Sequence, residues 1–201
     1  MTSLRVLVRR MPDRPEVLEA AGIVSDGVAE AVRQHSPLLL AMSLNPELNL
    51  PDCLLLDQAL PVLRTTHRPP LVPRDAPCEC PPRRVLVAVD GEPFVPNAAS
   101  RALAPLLTAW SATFTIAHVH IQQEQRDQAP SWLALADVRA SGLLPAGAPL
   151  ALHEESNLCT TSGVLQAVAD IQADLLLLIA RPRSFSGELF HRGVTAAVLR
   201  H

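Results

Sequence analysis

A continuous apolar run inside residues 84–91, with the sequence RVLVAVDG, constrains the fold more than any other stretch of this chain. Residues 85–89 are all apolar and rich in valine, without polar alternation, which is typical of a strand buried on both faces. The run ends abruptly at Asp90 and Gly91. Because ligands of parallel α/β sheets bind at the carboxyl ends of the strands, these two residues lie where a binding site is expected.

Other strand-like and helix-like segments alternate along the chain. Apolar or β-branched runs predict strands at residues 4–8, 38–44, 112–121, 150–153 and 175–180, and an edge strand at 69–74, where prolines cannot donate to a ladder. Apolar spacing predicts helices at residues 16–34, 51–63, 95–110 and 130–143, and the third of these should bend at Pro105. Two further helices are predicted, one after a cap at Ser156 or Asn157 and one at the end of the chain. The alternation predicts an α/β fold with a doubly wound, mostly parallel, Rossmann-like sheet.

The chain contains an internal repeat, which predicts two units. LRVLVRR near the start parallels RRVLVAVD, HSPLLLAMSL parallels QADLLLLIAR, and ALPVLRTTH parallels TAAVLRH. We place a smaller βαβαβ unit at residues 1–75, a proline-rich linker at 76–82, and a second unit at 83–201. The first unit lacks a strand-helix-strand insert, and the second lacks a closing strand.

Composition argues against two classes of partner. The net charge is −3, and the 17 basic residues, all arginine, are scattered rather than clustered, so we expect no nucleic-acid partner. The N-terminal apolar run is too short for a signal peptide, and no stretch approaches the length of a membrane span. We therefore expect a cytoplasmic protein without a membrane partner.

The ordered motifs resemble the universal stress protein (UspA) family. RRVLVAVDG, a helix, ATFTIAHVH, ADLLLLIA, a loop and GVTAAVLRH follow one another as in that family over residues 83–201, and residues 2–74 resemble a shortened second copy. The resemblance implies a strand order of 3-2-1-4-5 and a non-enzymatic role in the stress response. It also implies dimerisation through closing strands, either as a homodimer or as an internal pseudo-dimer, and a protein partner is a further expectation.

ATP-binding members of the family hold adenine near the ends of the first two strands and wrap the phosphates in a glycine loop. The residues that match the adenine side are Ala88, Asp90, Gly91, His118 and Val119. Glycines in such a loop let backbone N–H groups approach phosphate oxygens.

The phosphate loop departs from the family pattern. Ile179 and Pro182 stand where the first two glycines are expected, and Arg192-Gly193 stands where Gly-Ser is expected. Pro182 has no N–H to donate, and Ile179 adds a side chain where backbone should approach. Glu92 replaces a common serine and adds negative charge.

Two interpretations of this loop remain, and we favour a vestigial site in which nucleotide binding is impaired or lost. In the other, arginine and serine donors replace the lost backbone groups, and ATP or AMP still binds. The candidate residues on that side are Arg181, Arg183, Ser184, Ser186, Gly187 and Gly193. A nucleotide-dependent enzyme of the same fold superfamily is a third alternative, which the loss of the loop disfavours.

Several further residues have a structural interpretation. Cys78 and Cys80, with Cys53 and His67, do not match the spacing of zinc sites, so we predict no metal. Cys159 is predicted to be a small core residue. Glu154 and Glu155 are predicted to precede a helix and favour its N-terminus.

Three expectations concern faces and edges of the elements. His118 and His120 lie two apart in a strand and should share a face. Trp110 and Trp132 are predicted in the core or in an interface. The strand at 175–180 has one side without a partner strand, which we expect residues 69–74, the other unit or a partner chain to cover.

Overall fold

The computed structural model describes residues 23–42, 61–72, 80–89, 93–121, 130–179 and 194–198. Residues 61–66 are helical. The helices are α1 (Val24–His35), α2 (Ala98–Arg101), α3 (Ala104–Ala109), α4 (Ser131–Ser141), α5 (Thr160–Asp170) and α6 (Val194–Val198). The strands are β1 (Leu40–Ala41), β2 (Pro70–Leu71), β3 (Arg84–Ala88), β4 (Thr113–Ile121), β5 (Leu150–Asn157) and β6 (Leu175–Leu178).

A parallel four-stranded sheet with the order β5-β4-β3-β6 lies within the predicted second unit. Counted within that unit, this is the order 3-2-1-4, as predicted apart from the fifth strand. The predicted α/β fold with a parallel, helix-flanked sheet is confirmed. None of the helices in the described ranges is long and apolar enough to cross a membrane.

Strand β3 is buried on both faces, as its uninterrupted apolar sequence predicts. Val85, Leu86 and Val87 are all 0% exposed. Val85 and Val87 pack in one core cluster with Leu107 of α3 and Val138 of α4. The side chain of Leu86 belongs to a separate cluster, so the two faces of the strand have different cores.

Helices α5 and α6 cover the face of the sheet opposite to α3 and α4. Ala167 of α5 packs with Leu86 and Ala117, and Val164 packs with Ala88 and Val198. The sheet is therefore covered by helices on both faces, which is the arrangement expected of parallel sheets.

The amino ends of β3 and β6 are joined by Asp174. Its Oδ2 accepts hydrogen bonds from the backbone N–H groups of Arg83 and Arg84, both at 2.9 Å, and its Oδ1 lies 3.2 Å from Arg84 Nη2. These backbone hydrogen bonds, followed by the Arg84 side chain, hold the pKa of Asp174 below its ordinary value of 3.8. The contact fixes the register with which β6 enters the sheet.

The proline-containing strand does not pair with β6. Pro70–Leu71 pairs in parallel with Leu40–Ala41 in a separate two-stranded sheet. Residues 70–71 therefore do not pair with β6, and coverage of this edge by residues 69–74 in another way, by the other unit or by a partner chain stays a prediction. Residues 61–72 do contact the segment that precedes α2, since Asn97 Nδ2 donates a hydrogen bond to the His67 carbonyl oxygen at 3.0 Å. The division into units at 1–75, 76–82 and 83–201 also stays a prediction.

The helix predicted over residues 95–110 is divided into α2 and α3, and the break comes just before Pro105, where a bend was expected. Pro105 lies in the first turn of α3, where a proline has no N–H to lose. Val95 precedes both helices and is 86% exposed, so it is not part of their apolar face. Trp110 packs against the core, but Trp132 is 62% exposed, so its placement in the core is wrong.

Strand β5 is longer than predicted, and this corrects three expectations. It extends to Asn157, so Glu154 and Glu155 lie inside a strand rather than before a helix. The helix that follows begins at Thr160, with Cys159 rather than Ser156 or Asn157 at its N-cap. Cys159 is exposed, and not a core residue, because the cap precedes the buried face of the helix.

Helix α5 approaches β4 closely at Gly163. A Cβ atom built on Gly163 would lie 3.0 Å from Val119 Cγ2 and closer still to Cγ1. We expect Gly163→Ala to lower the free energy of unfolding by about 1–3 kcal/mol, because the added methyl overpacks this contact. Urea denaturation of the wild type and the variant measures the difference.

The matched control is the double variant Gly163→Ala with Val119→Ala, which removes the colliding methyl groups. It should recover part of the lost stability, since alanine also favours the helix by about 1 kcal/mol relative to glycine. A Gly163→Ala protein as stable as the wild type would show that the helix does not need this close approach.

Candidate functional site

The carboxyl ends of β3 and β4 meet where the sequence predicts a ligand. Ala88 is the last residue of β3 and is 8% exposed. His118 and Val119 lie near the end of β4, on opposite faces of the sheet. The remaining predicted site residues lie outside the described residues, and their roles stay predictions: Asp90, Gly91, Arg181, Arg183, Ser184, Ser186, Gly187 and Gly193.

The structure describes Ile179, which occupies the position where the family pattern has the first glycine of the phosphate loop. Its backbone N–H donates to the Ala88 carbonyl at 3.5 Å, which continues the ladder between β6 and β3. Its side chain packs against the core cluster that contains Val85 and Val87. Both the amide and the side chain of Ile179 are therefore engaged in the sheet.

Two histidines and a glutamate occupy one face of the sheet at this end. The rings of His118 and His120 meet edge to face, with centroids 4.6 Å apart and an interplanar angle of 80°. They share a face, as their spacing in the strand predicts. The backbone register pairs His118 with Glu154 of β5, and Glu154 Oε1 lies 3.7 Å from His120 Nε2. His118 is 4% exposed, whereas the Glu154 side chain is 55% exposed.

The Glu154 carboxylate is stabilised in its charged form. A hydrogen bond with the Ser131 side chain, at the start of α4, lowers its pKa below the ordinary value of 4.5, and His120 and His118 add smaller contributions of the same sign. An ionised carboxylate beside two imidazoles can hold a polar group that both accepts and donates hydrogen bonds. We name Ser131, His118, His120 and Glu154 the histidine cluster.

Sequence reasoning missed Glu154 and Ser131 as members of this cluster. It placed Glu154 before a helix because the predicted strand stopped at residue 153. The residue types gave no signal for the longer strand, because residues 153–157 are all polar; the strand period places Leu150, Leu152 and Glu154 on one face only once the strand is known to extend to Asn157.

A shallow depression lies at the opposite end of the sheet. Its lining includes Pro82, Arg84, Trp110 and Asp174, at the amino ends of β3 and β6. Ligands of parallel α/β sheets bind at the carboxyl ends, so this depression is not the predicted site.

We expect Ser131→Ala to raise the pKa of Glu154 towards 4.5, because the largest contribution to its lowered value is the hydrogen bond with Ser131. A carboxyl group whose pKa is lower in the folded state stabilises the fold above its unfolded pKa, and this stabilisation is lost as the pH falls through the folded pKa. The variant should thus lose part of this stabilisation. Side-chain carboxyl NMR titration from pH 2 to 7 measures the pKa.

The matched control is Ser162→Ala, because Ser162 lies on α5, the helix that covers the opposite face of the sheet. It should leave the Glu154 titration unchanged. An unchanged Glu154 pKa in Ser131→Ala would show that the serine does not stabilise the carboxylate.

No protein-family model matches the chain, and no curated protein matches it. Among solved structures, it is similar to the crystal structure of a universal stress protein in complex with cAMP, with 20% identity, 60% of this chain and 90% of that chain covered, and a TM-score of 0.41. It is also similar to protein Rv1636 from Mycobacterium tuberculosis H37Rv, with 17% identity, 61% and 90% covered, and a TM-score of 0.40. The first of these carries the name of the family that the sequence motifs resemble.

Proposed function

We propose that this chain is a universal stress protein-like regulatory or binding protein, without enzymatic activity, in which nucleotide binding is impaired or lost. The observation that carries the proposal is the pair of contacts that Ile179 makes within the sheet and the core. Its amide continues the sheet ladder to Ala88, and its side chain packs against the core.

A phosphate cradle at the end of β6 requires backbone N–H groups that point at the ligand and no side chain in the way. The Ile179 amide could turn towards a phosphate only by giving up its hydrogen bond to Ala88 and by withdrawing an apolar side chain from the core. Both changes cost free energy, which would be subtracted from the affinity for a nucleotide. The sequence adds Pro182, which has no N–H, and Glu92, which repels phosphate.

A second candidate function is an ATP- or AMP-binding stress sensor. The observation in its favour is the histidine cluster, in which a 4% exposed imidazole and a carboxylate lie at the ligand-binding end of the sheet. Such groups can recognise the polar edge of a base, while Arg181 and Arg183 could neutralise phosphate charge in place of a glycine loop.

Calorimetric titration with ATP, AMP and adenosine separates the two functions. For the preferred one we expect no micromolar binding of ATP or AMP by the wild-type protein. Pro182→Gly, which restores a donor and a flexible backbone at the second loop position, should bind ATP more tightly than the wild type if any residual site is present. The matched control is Pro145→Gly, a proline after α4.

If the wild type bound ATP with micromolar affinity and Asp90→Ala lost this binding, the proposal that the site is vestigial would be wrong. Its loss in Arg181→Ala or Arg183→Ala would further support the sensor that uses arginine donors. Hydrolysis of ATP above background, abolished by Asp90→Ala, would contradict the non-enzymatic assignment.

We further propose that the chain forms a homodimer, or an internal pseudo-dimer, that covers β6. Within the described ranges β6 pairs with β3, and its four leucines are half-buried. An apolar strand with one unpaired edge is a site for pairing with another strand or for coverage by another surface. The exposed Trp132 is a second apolar residue available to an interface.

Sedimentation velocity should therefore give twice the chain mass for a homodimer. Leu176→Arg should weaken the association, and Leu38→Arg, at an exposed leucine outside this sheet, is the control. A monomer whose β6 amides exchange with solvent as fast as those of an unprotected peptide would contradict both forms of the proposal.

A further inference from the structure

Three side chains of metal-ligating type converge on the face of the sheet that α5 covers. His153 and Glu155 lie two apart on β5, so they point to the same face, opposite to Glu154. Asp170 is the last residue of α5, which packs on that face. One donor atom from each residue can be chosen so that all three atoms lie within 4.8 Å of one another.

The imidazole of His153 is too far from the carboxylates of Glu155 and Asp170 to form hydrogen bonds with them, yet it is close enough to interact with both. His153 Nε2 lies 3.6 Å from Glu155 Oε2 and 3.7 Å from Asp170 Oδ2. This nitrogen is buried and makes no hydrogen bond in the structure. A buried imidazole nitrogen that faces two carboxylate oxygens without bonding to either has room for a shared cation between them.

We propose that His153, Glu155 and Asp170 bind one Zn²⁺ ion. Two ligand atoms that are each about 2.1 Å from a tetrahedral Zn²⁺ ion lie roughly 3.4 Å apart. The observed separations of 3.6 and 3.7 Å come within a few tenths of an ångström of that value. The fourth position would face solvent beside Asp170, whose side chain is 42% exposed, and would hold water.

The neighbouring residues hold the ligands in the orientation that this geometry needs. Gln166, one turn before Asp170 on α5, donates from Nε2 to Asp170 Oδ1 at 2.8 Å. This leaves Asp170 Oδ2 as the oxygen that faces His153. Hydrogen bonds of this kind to a ligating carboxylate orient it and raise the affinity for the metal. The site also lies on a strand and a helix, which are more rigid than loops.

The donor set selects among metals. A neutral imidazole with two carboxylates suits Zn²⁺, whereas Mg²⁺ and Ca²⁺ prefer oxygen ligands alone. The two carboxylates carry two negative charges, which a divalent ion neutralises. The competing account is a protonated His153 that forms ion pairs with both carboxylates and needs no metal.

The experiment is a calorimetric titration of the reduced, chelator-treated full chain with Zn²⁺ at pH 7.5, together with thermal denaturation with and without the ion. We expect one ion per chain, and a melting temperature that rises with Zn²⁺ concentration because the ion binds the folded state. His153→Ala and Asp170→Asn should each remove this binding event, and Gln166→Ala should weaken it by about 10-fold. Asp170→Asn keeps the fold testable if loss of the imidazole unfolds the protein.

Two controls exclude other ligands. His120→Ala and Glu154→Gln change the same types of residue on the opposite face of the sheet and should leave Zn²⁺ binding unchanged. Cobalt substitution should give the visible d–d absorption of a tetrahedral site without a thiolate charge-transfer band, because the exposed thiols of Cys80 and Cys159 take no part.

Three outcomes would overturn the proposal. They are no Zn²⁺ binding by the wild type, binding that survives both His153→Ala and Asp170→Asn, and a Co²⁺ spectrum dominated by thiolate charge transfer. The first would favour the protonated histidine and its two ion pairs. The last would assign the metal to cysteine.

Discussion

The four-stranded sheet and the helices that cover it depend on a single buried strand. β3 pairs in parallel with β4 on one side and with β6 on the other, and its side chains are enclosed by two different helical layers. A strand in this position has no edge and no solvent-facing side, so every residue from Val85 to Val87 must be apolar. Removal of one of these side chains would leave a cavity shared by the sheet and a helix layer, which typically costs 2–5 kcal/mol for a large aliphatic residue.

The strands farther from β3 are under less constraint, and they carry the polar chemistry. β5 pairs only with β4 in the described part of the chain, and its residues are polar from His153 to Asn157 rather than apolar throughout. Since the period of a strand is two residues, neighbouring acidic residues point to opposite faces. Glu154 joins the histidine cluster, whereas His153 and Glu155 join the proposed metal site, so three consecutive residues serve two separate polar environments.

Each of the two polar environments also includes a residue from a helix, and no local sequence pattern predicts which helix supplies it. Ser131 contributes to the histidine cluster because α4 begins over one face of the sheet, and Asp170 meets His153 because α5 ends over the other. The sequence separation is 23 residues in the first case and 17 in the second. Contacts of this range follow from how each crossover helix returns the chain to the sheet, and not from the residue types alone.

The sequence by itself determined the class of fold, the central place of RVLVAVDG, the interruption of the helix near Pro105 and the shared face of His118 and His120, and its resemblance to a family implied the strand order of the four-stranded sheet. These features depend on local apolar period, on proline chemistry and on the order of motifs. Tertiary structure alone decided the length of β5, the exposure of Cys159 and Trp132, the pairing of Pro70–Leu71 with β1, and the engagement of Ile179 with β3. The physical reason is that strand ends, side-chain exposure and pairing partners are set by hydrogen bonds and packing between segments far apart in the chain, which local sequence does not encode.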